Sequence, residues 1–379
     1  MSKPRTYLDY NATAPLLPAA RMAMERALDG AGNPSSVHAE GRQARALIDT
    51  ARRQVAALCN ADPAGVVFTS GATEAAAMVL TPHFKMGRSD LAIGHLYVSA
   101  VEHPCFLCGG HFAADDVTVV PVDADGRINL DALKDCLASH DAGAGIPMLA
   151  LQLANNETGV IQPVEDAGSL VKDRGGLLVV DAVQAAGRLP LDMTHLNADF
   201  LVLSSHKIGG PKGSGALVCA GEVLMPVPLI PGGGQEKGHR SGTENPAAIA
   251  GFGEAAAFAG ADIARRAERM RQFRDSLETE MMGIAPDCRI YAHAAQRLPN
   301  TSFFALPGLK AETAQIAFDL EGIAVSAGSA CSSGRVGPSH VLAAMGEAVD
   351  PGGLRVSLGD QSRQQDVDCF LSVLSGSNA

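Results

Sequence analysis

The sequence predicts an α/β protein, with a large domain built on a mostly parallel seven-stranded sheet and a smaller α+β C-terminal domain. Three observations favour this fold. Short apolar segments alternate with helical or loop segments up to about residue 219, which is typical of a parallel sheet covered by helices on both faces. Several of these segments end in a polar or charged residue. A Gly/Pro-rich stretch at 226–234 then breaks the alternation.

The elements of the large domain follow from their apolar periodicity. A helix is expected at 35–59, where apolar side chains repeat on one face. An Ala-rich helix follows Gly71, and two more are expected at 130–138 and 164–174. The seven strands are expected at 66–70, 96–100, 117–122, 148–154, 177–183, 200–204 and 215–219.

The second part of the chain begins with a long amphipathic helix, expected at 252–283 because Met270, Phe273, Leu277 and Met281 form one stripe. Short strands and helices then alternate to the end of the chain. Strands are expected near 289–291, 301–304, 323–325 and 354–358, and helices at 311–321, 338–346 and 363–375. We therefore expect a large cofactor-binding domain at 15–252 and a small domain formed by 1–14 and 253–379.

Composition excludes several classes of function. The 379 residues can form two domains, and 46% apolar with 19% charged residues is an ordinary globular balance. A net charge of −11 argues against a nucleic-acid partner, which requires basic clusters. No apolar run approaches the ~20 residues that span a bilayer, so no membrane association is expected. Eight scattered cysteines and the lack of a secretory signal fit a cytoplasmic location.

Polar residues at the strand ends outline one site. Ser70, His103, Asn155, Asp181 and Lys207 all lie at or just beyond the carboxyl end of an expected strand. In parallel sheets this edge is where ligands bind. The five residues are therefore expected to lie close together.

Lys207 and Asp181 fit one cofactor. An isolated lysine is usually a solvated surface charge, but pyridoxal phosphate requires an amine for its Schiff base and an acid on its pyridine nitrogen. Lys207 can supply the amine and Asp181 the acid. Gln184, three residues further on, could reach the ring hydroxyl if the chain turns there.

Donors for the phosphate are also present. Gly71-Ala72-Thr73 opens a helix, whose N-terminal N–H groups and dipole favour an anion. Thr73 is equally a candidate N-cap for that helix. Ser204 and His206 lie close before Lys207 and add further donors.

Several longer motifs occur in order along nearly the whole chain: residues 7–15 (YLDYNATAP), 32–38 (GNPSSVH), 69–74 (TSGATE), 102–103 (EH), 155–159 (NNETG), 181–184 (DAVQ), 204–207 (SSHK), 240–243 (RSGT) and 328–331 (GSAC). This series resembles the class V aminotransferase family of fold type I pyridoxal phosphate enzymes, and within it the cysteine desulfurases.

The resemblance implies roles for individual residues. Lys207 would bind pyridoxal phosphate covalently, and His103 would stack on its ring and help to move protons. Asn155 and Arg355 would hold the carboxylate of L-cysteine, with Asn33 nearby. A planar guanidinium suits that task because it binds a carboxylate through two parallel hydrogen bonds.

The resemblance also implies a homodimer. Thr243 would reach the phosphate of the cofactor in the partner subunit, so that both subunits complete each site. Two-fold dimers are also the commonest oligomers in general.

Cys331 determines which reaction is expected. A single cysteine is by default a buried packing residue, but the neighbours of Cys331 are Gly, Ser and Ala, which favour a reactive thiol in a mobile loop. By the resemblance, its thiolate attacks the sulfur of the cofactor-bound cysteine and yields L-alanine and a persulfide. The sulfur would pass to an acceptor protein, and the sequence leaves open whether that acceptor serves iron–sulfur clusters, tRNA thiolation or another cofactor.

Three other interpretations remain open at this stage. Another class V activity, such as an aminotransferase or a selenocysteine lyase, would not require Cys331. His103, Cys105, Cys108 and His111 have zinc-ligand residue types, but a strong zinc site needs a second well-spaced pair, so no metal is expected and both cysteines are interpreted as packed thiols. A noncatalytic metal- or sulfur-binding scaffold at these cysteines would not depend on Lys207.

Overall fold

The structure is a computed structural model that describes residues 5–306, 308–328, 339–348, 350 and 352–377. Its strands are β1 Thr6–Tyr7, β2 Val66–Thr69, β3 His83–Met86, β4 Ser89–Ser99, β5 Val117–Val120, β6 Ile146–Gln152, β7 Leu177–Asp181, β8 Phe200–Ser204, β9 Gly215–Cys219, β10 Leu224–Pro226, β11 Arg289–Ile290, β12 Thr301–Ala305, β13 Ile323–Ala324, β14 Ser326–Ala327 and β15 Leu354–Ser357. Its helices are α1 Pro18–Leu28, α2 Ala39–Leu58, α3 Ala72–Val79, α4 Pro104–Leu107, α5 Leu130–Ala138, α6 Val164–Lys172, α7 Pro246–Gly260, α8 Ile263–Ile284, α9 Ala311–Leu320, α10 His340–Ala344 and α11 Gln364–Ser377.

The predicted seven-stranded sheet is confirmed and is extended at one side. Its strands lie in the order β5-β4-β6-β7-β8-β9-β2, and only β9 is antiparallel to its neighbours. The long strand β4 continues into an antiparallel ribbon with β3 and β10, which brings the sheet to nine strands. The sequence did not indicate β3 and β10, because most of β3 is exposed and its residues lack an apolar pattern.

Helices cover both faces of this sheet, as the alternating pattern predicts. On β6, Leu149 and Leu151 face a core that includes side chains of α2, α5, α6 and α7. Met148 and Ala150 face the opposite core, which contains α3 and α4. Side chains of one strand alternate between its two faces, so the consecutive buried residues 147–152 of β6 indicate a strand covered on both sides.

The second unit is a four-stranded antiparallel sheet in the order β11-β12-β15-β14, packed against α8, α9 and α11. The N-terminal segment belongs to it: β1 pairs with β13, and Asp9 forms a bridge with Ser357 next to β1. The division into domains at residue 252 remains a prediction, and that position lies inside α7, whose Ala256 and Ala259 pack in the core of the large sheet.

The long helix expected at 252–283 is wrong. The chain forms two helices, α7 and α8, whose axes meet at 76°. Asp262 lies between them in the left-handed region, with φ 48°, and this conformation ends one helix before the next begins. The apolar stripe predicted for this segment lies on α8 alone, where Met270, Leu277 and Met281 are buried.

Within the described ranges, no single helix has the length and apolar character of a membrane span, although the bent pair α7 and α8 meets that test when its two members are combined.

A buried ion pair joins α8 to the segment before β12. Arg297 donates to both carboxylate oxygens of Glu278 at 2.7 and 2.8 Å, and each side chain is less than 5% exposed. Removing one partner of such a pair leaves a buried charge, which costs about 3–5 kcal/mol. We therefore expect Arg297→Met to lower the free energy of unfolding by that amount in urea titrations, and Glu278→Gln/Arg297→Met to recover part of it. An unchanged urea midpoint for the single variant would contradict this account.

Candidate active site

A cavity of about 560 Å³ lies at the carboxyl edge of the parallel strands. This volume is typical of small-molecule sites. Strands β6, β7 and β8, the start of α3, and residues 12–13 of the N-terminal segment all contribute to its wall. The lining includes most of the predicted cofactor site: Ala72, Thr73, His103, Asp181, Gln184, Ser204, His206 and Lys207.

Lys207 lies on a short 3₁₀ turn, Ser205–Lys207, that follows β8 directly. Its Nζ donates to the carbonyl oxygens of Asn11, at 2.5 Å, and Ala12, at 2.9 Å. The N-terminal segment therefore forms the opposite wall and orients the amine. His206 also contacts this segment, with its Nδ1 3.2 Å from the hydroxyl of Thr13.

Two neighbouring buried acids, Asp181 and Glu102, form the floor of the site. Burial raises the pKa of Asp181 to about 6, although the Val183 N–H and Lys207 act in the opposite direction. Burial and the neighbouring Asp181 raise the pKa of Glu102 well above its usual value. Glu102 Oε1 accepts from the Gln152 N–H at 2.6 Å, while Oε2 has no hydrogen-bond partner among the described residues.

The proton of His103 is located by its neighbours. His103 Nδ1 accepts from the backbone N–H of Cys105 at 3.2 Å, because a backbone N–H can only donate. The Cys105 thiol, 2.9 Å from the same nitrogen, must then donate as well. Burial and the neighbouring carboxyls raise the pKa of Cys105, which keeps its proton on sulfur. His103 therefore carries its single proton on Nε2.

Burial, Lys207 and His340 lower the pKa of His103 to about 4. The imidazole is therefore expected to stay neutral as pH falls from 8 to 5, and to gain a proton only near pH 4. NMR of the protein labelled in its histidine rings measures both the pKa and the protonated nitrogen, and His103→Asn identifies the signal. Cys105→Ala should move the pKa toward its ordinary value, because it opens space around the ring. Titration of His103 near pH 6.5 would contradict this prediction.

The end of the cavity at α3 has the character of an anion site. The first N–H groups of a helix have no partners within it, and Gly71, as N-cap, supplies no side chain to them. Gly71 is thus the N-cap rather than Thr73. Gly215 permits this arrangement, since a Cβ on it would lie 2.6 Å from the Gly71 backbone. Lys212 lines the same cavity and adds a positive charge.

The predicted carboxylate-binding residues lie behind or outside the cavity wall. Both ends of the Asn155 amide are used within the protein: its Nδ2 donates to the Val101 carbonyl, and its Oδ1 accepts from nearby backbone N–H groups. Arg355 is 1% exposed and donates to the Asn156 carbonyl and to Asp9 Oδ1, at 2.9 and 2.8 Å. Asn156 itself lines the cavity, so Arg355 lies in the layer directly behind it.

Two other predicted residues, Asn33 and Thr243, are separated from this group. Asn33 is exposed, and its Oδ1 accepts from the Ser35 N–H. Thr243 is exposed and lines a neighbouring depression, which shares Ser70 with the main cavity. Cys331 lies outside the described residues. Gln184 lines the cavity, but its amide already donates to Asn11 and accepts from Arg188.

Sequence reasoning missed several polar residues of this cavity or its floor, among them Glu102, Cys105, Gln152 and Lys212. Glu102 precedes His103, so adjacency to a predicted site residue was the available signal. Cys105 packs against the core that contains α3, as predicted, and also borders the cavity. Cys108 is exposed, so its interpretation as a packed thiol is wrong. Across the described ranges, no group of three or more metal-ligating residues converges.

Comparison with known proteins gives consistent matches over nearly the full length. The aminotransferase class V family profile matches residues 6–370. A cysteine desulfurase from Nostoc sp. is 38% identical over 97% of this chain and 91% of that protein. An IscS-like cysteine desulfurase from Mycobacterium tuberculosis is 36% identical over 98% of this chain and 96% of that protein. The solved structure of a NifS-like protein from Rickettsia africae has a TM-score of 0.88 at 31% identity, covering 98% of this chain and 99% of that one. The chain therefore belongs to the class V aminotransferase family and, within it, to the cysteine desulfurases.

Proposed function

We propose that this cysteine desulfurase binds pyridoxal phosphate in the 560 Å³ cavity and removes sulfur from L-cysteine, giving L-alanine and a persulfide on Cys331. The observation that carries the proposal is the convergence of Lys207, Asp181 and His103 on one cavity whose far end is an anion site. Each of these features matches one part of the cofactor.

The residues present fit the cofactor group by group. Lys207 offers an amine already oriented by two carbonyls. Asp181 is a buried carboxylate without a full counter-charge, and a protonated ring nitrogen would provide one. The N–H groups of Ala72 and Thr73 would hold the phosphate, together with the hydroxyl of Ser204 and the side chains of His206 and Lys212.

When bound, pyridoxal phosphate accepts electrons from the α-carbon of an amino-acid substrate. The protein then has to move protons. His103 is neutral near pH 7 and carries its proton on Nε2, so it can donate a hydrogen bond to the substrate from that nitrogen, but it can give up the proton only if Nδ1 gains one. Arg355 would bind the substrate carboxylate after it releases one of the hydrogen bonds that it donates to Asn156 and Asp9.

Sulfur transfer needs a thiolate as nucleophile. The thiolate of Cys331 attacks the sulfur of the substrate, so that an S–S bond forms while the Cβ–S bond breaks. The electron pair of that bond stays on Cβ, which then takes up a proton to complete L-alanine. One thiol and L-cysteine thus give one persulfide and L-alanine, with no external oxidant or reductant.

The proposal includes partners. A homodimer would bring Thr243 of one subunit to the cofactor of the other. Thr243 is exposed and lines a depression next to the cavity, which supports this arrangement. A sulfur-acceptor protein would then receive the persulfide sulfur. The cysteines in the described residues are all free thiols, which supports a reducing, cytoplasmic setting.

The test is a product assay on protein reconstituted with pyridoxal phosphate. We expect a visible absorption band that changes with L-cysteine, and equal amounts of alanine and sulfide under reducing conditions. A coloured protein that forms no alanine from L-cysteine would favour another class V activity. A protein that cannot bind pyridoxal phosphate would contradict the assignment of the cavity.

A further inference from the structure

Glu157 is a buried acid for which the proposed chemistry has no role. It lies in the loop after β6, is 3% exposed, and donates its own N–H to Asn155 Oδ1 at 2.9 Å. Burial raises the pKa of its carboxyl to about 7, whereas a hydrogen bond from Ser339 and the charge of Arg355 oppose that rise. A buried carboxyl with so few compensating partners calls for a structural or functional explanation.

The carboxyl lies between the two ends of the segment that carries Cys331. Ser339, directly after that segment, donates its hydroxyl to Glu157 Oε2 at 2.6 Å. Gly328, directly before it, approaches the same oxygen so closely that a Cβ there would lie 3.0 Å from Oε2. A single carboxylate oxygen is therefore adjacent to the last described residue before 329–338 and the first one after it.

Both ends are also fixed to other parts of the site. Ser339 is the N-cap of α10 and accepts from the Leu342 N–H at 3.1 Å. The next residue, His340, donates from Nε2 to the carbonyl of Glu102 at 2.9 Å, immediately before His103. At the other end, the Gly328 N–H donates to the Gly353 carbonyl at 2.8 Å. Contacts thus run from Glu157 to the cavity floor on one side and to the strand that bears Arg355 on the other.

We propose that Glu157 is a positioning residue for Cys331, because it holds the two ends of the cysteine-bearing segment in fixed relation to the cavity. This inference rests on the proposed function. Small displacements matter in such a step, since misplacing a reacting atom by 1 Å can cost on the order of 10²-fold in rate.

The test uses the reconstituted holoenzyme at pH 8, where the Glu157 carboxyl is ionised in the wild type. Three quantities are measured: the change in cofactor absorption on adding L-cysteine, the rate of alanine formation in the first turnover, and the rate of iodoacetamide alkylation at Cys331, read from its peptide by mass spectrometry. The variants are Glu157→Gln, Ser339→Ala and Ser339→Thr. Arg297→Met is the matched control, because it breaks a buried carboxylate pair away from the cavity.

We expect Glu157→Gln and Ser339→Ala to slow first-turnover alanine formation by about 10- to 100-fold. The absorption change on L-cysteine binding should stay close to that of the wild type, and Cys331 alkylation should change in both variants. Ser339→Thr keeps the hydroxyl and should restore the alanine rate. Wild-type alanine rates in both variants would overturn the inference, as would an equal slowing in Arg297→Met.

If the proposed function itself is wrong, the assays give different results. If wild-type protein forms no alanine, or Cys331→Ser still forms it, the desulfurase reaction through Cys331 is wrong. The alkylation comparison still decides whether Glu157 positions Cys331, because it requires no turnover. Unchanged alkylation in Glu157→Gln and Ser339→Ala would then exclude the positioning role.

Discussion

Cys331→Ser is expected to abolish alanine and sulfide formation from L-cysteine, with a loss on the order of 10³-fold or more, as for other enzymes that lose their nucleophile. A serine hydroxyl cannot form the anion that attacks sulfur near neutral pH, whereas a thiol can. Lys207 and Asp181 are unaffected, so the protein should keep its cofactor and its spectral response to L-cysteine. This combination separates a desulfurase from other class V activities.

The matched control for this variant is Cys108→Ser. Cys108 is an exposed free thiol outside the cavity lining, so its loss should leave alanine formation unchanged. Mass spectrometry after one turnover should show a mass increase of one sulfur on the peptide with Cys331. Persistent alanine formation in Cys331→Ser would assign the reaction to a different nucleophile.

Lys207→Ala is expected to remove all activity and the visible band of the lysine-linked cofactor. The substitution deletes the cavity-lining amine that donates to the carbonyl oxygens of Asn11 and Ala12. Cofactor held by Asp181 and the start of α3 alone should be lost on gel filtration, and its content can be measured after alkaline release. Lys237→Ala, at an exposed ion pair with Glu222, should keep full cofactor content. A catalytically active Lys207→Ala protein would refute the assignment of this amine.

Much of the fold was predictable because its signals are local. Strands such as β7 and β8 are short apolar runs buried on both faces, and such runs are recognisable without a structure. The break between α7 and α8 was not predictable in the same way. The apolar residues of α7 are followed in sequence by the apolar stripe of α8. The two helices are separated at Asp262, whose backbone is in the left-handed conformation.

The candidate site was predictable only in part, for a physical reason. Lys207 and Asp181 were found because each follows a strand, and parallel strands present their carboxyl ends at one edge. The pKa shifts of Glu102 and His103 depend on burial and on partners distant in sequence, which no local pattern encodes. The hydrogen bonds that the Asn155 and Gln184 side chains form within the protein are likewise visible only in the structure.

The N-terminal wall of the cavity has a consequence for biosynthesis. Asn11, whose carbonyl accepts from Lys207, is itself fixed by Ser357, Thr301 and Asn300. Asn11 and Ser357 are 346 positions apart, so at 5–20 residues per second the ribosome needs roughly 20 to 70 s to supply the second after the first. Asn11 therefore lacks these partners until β12 and β15 have been synthesised. A fully formed site accordingly arises only after the chain has been synthesised through β15.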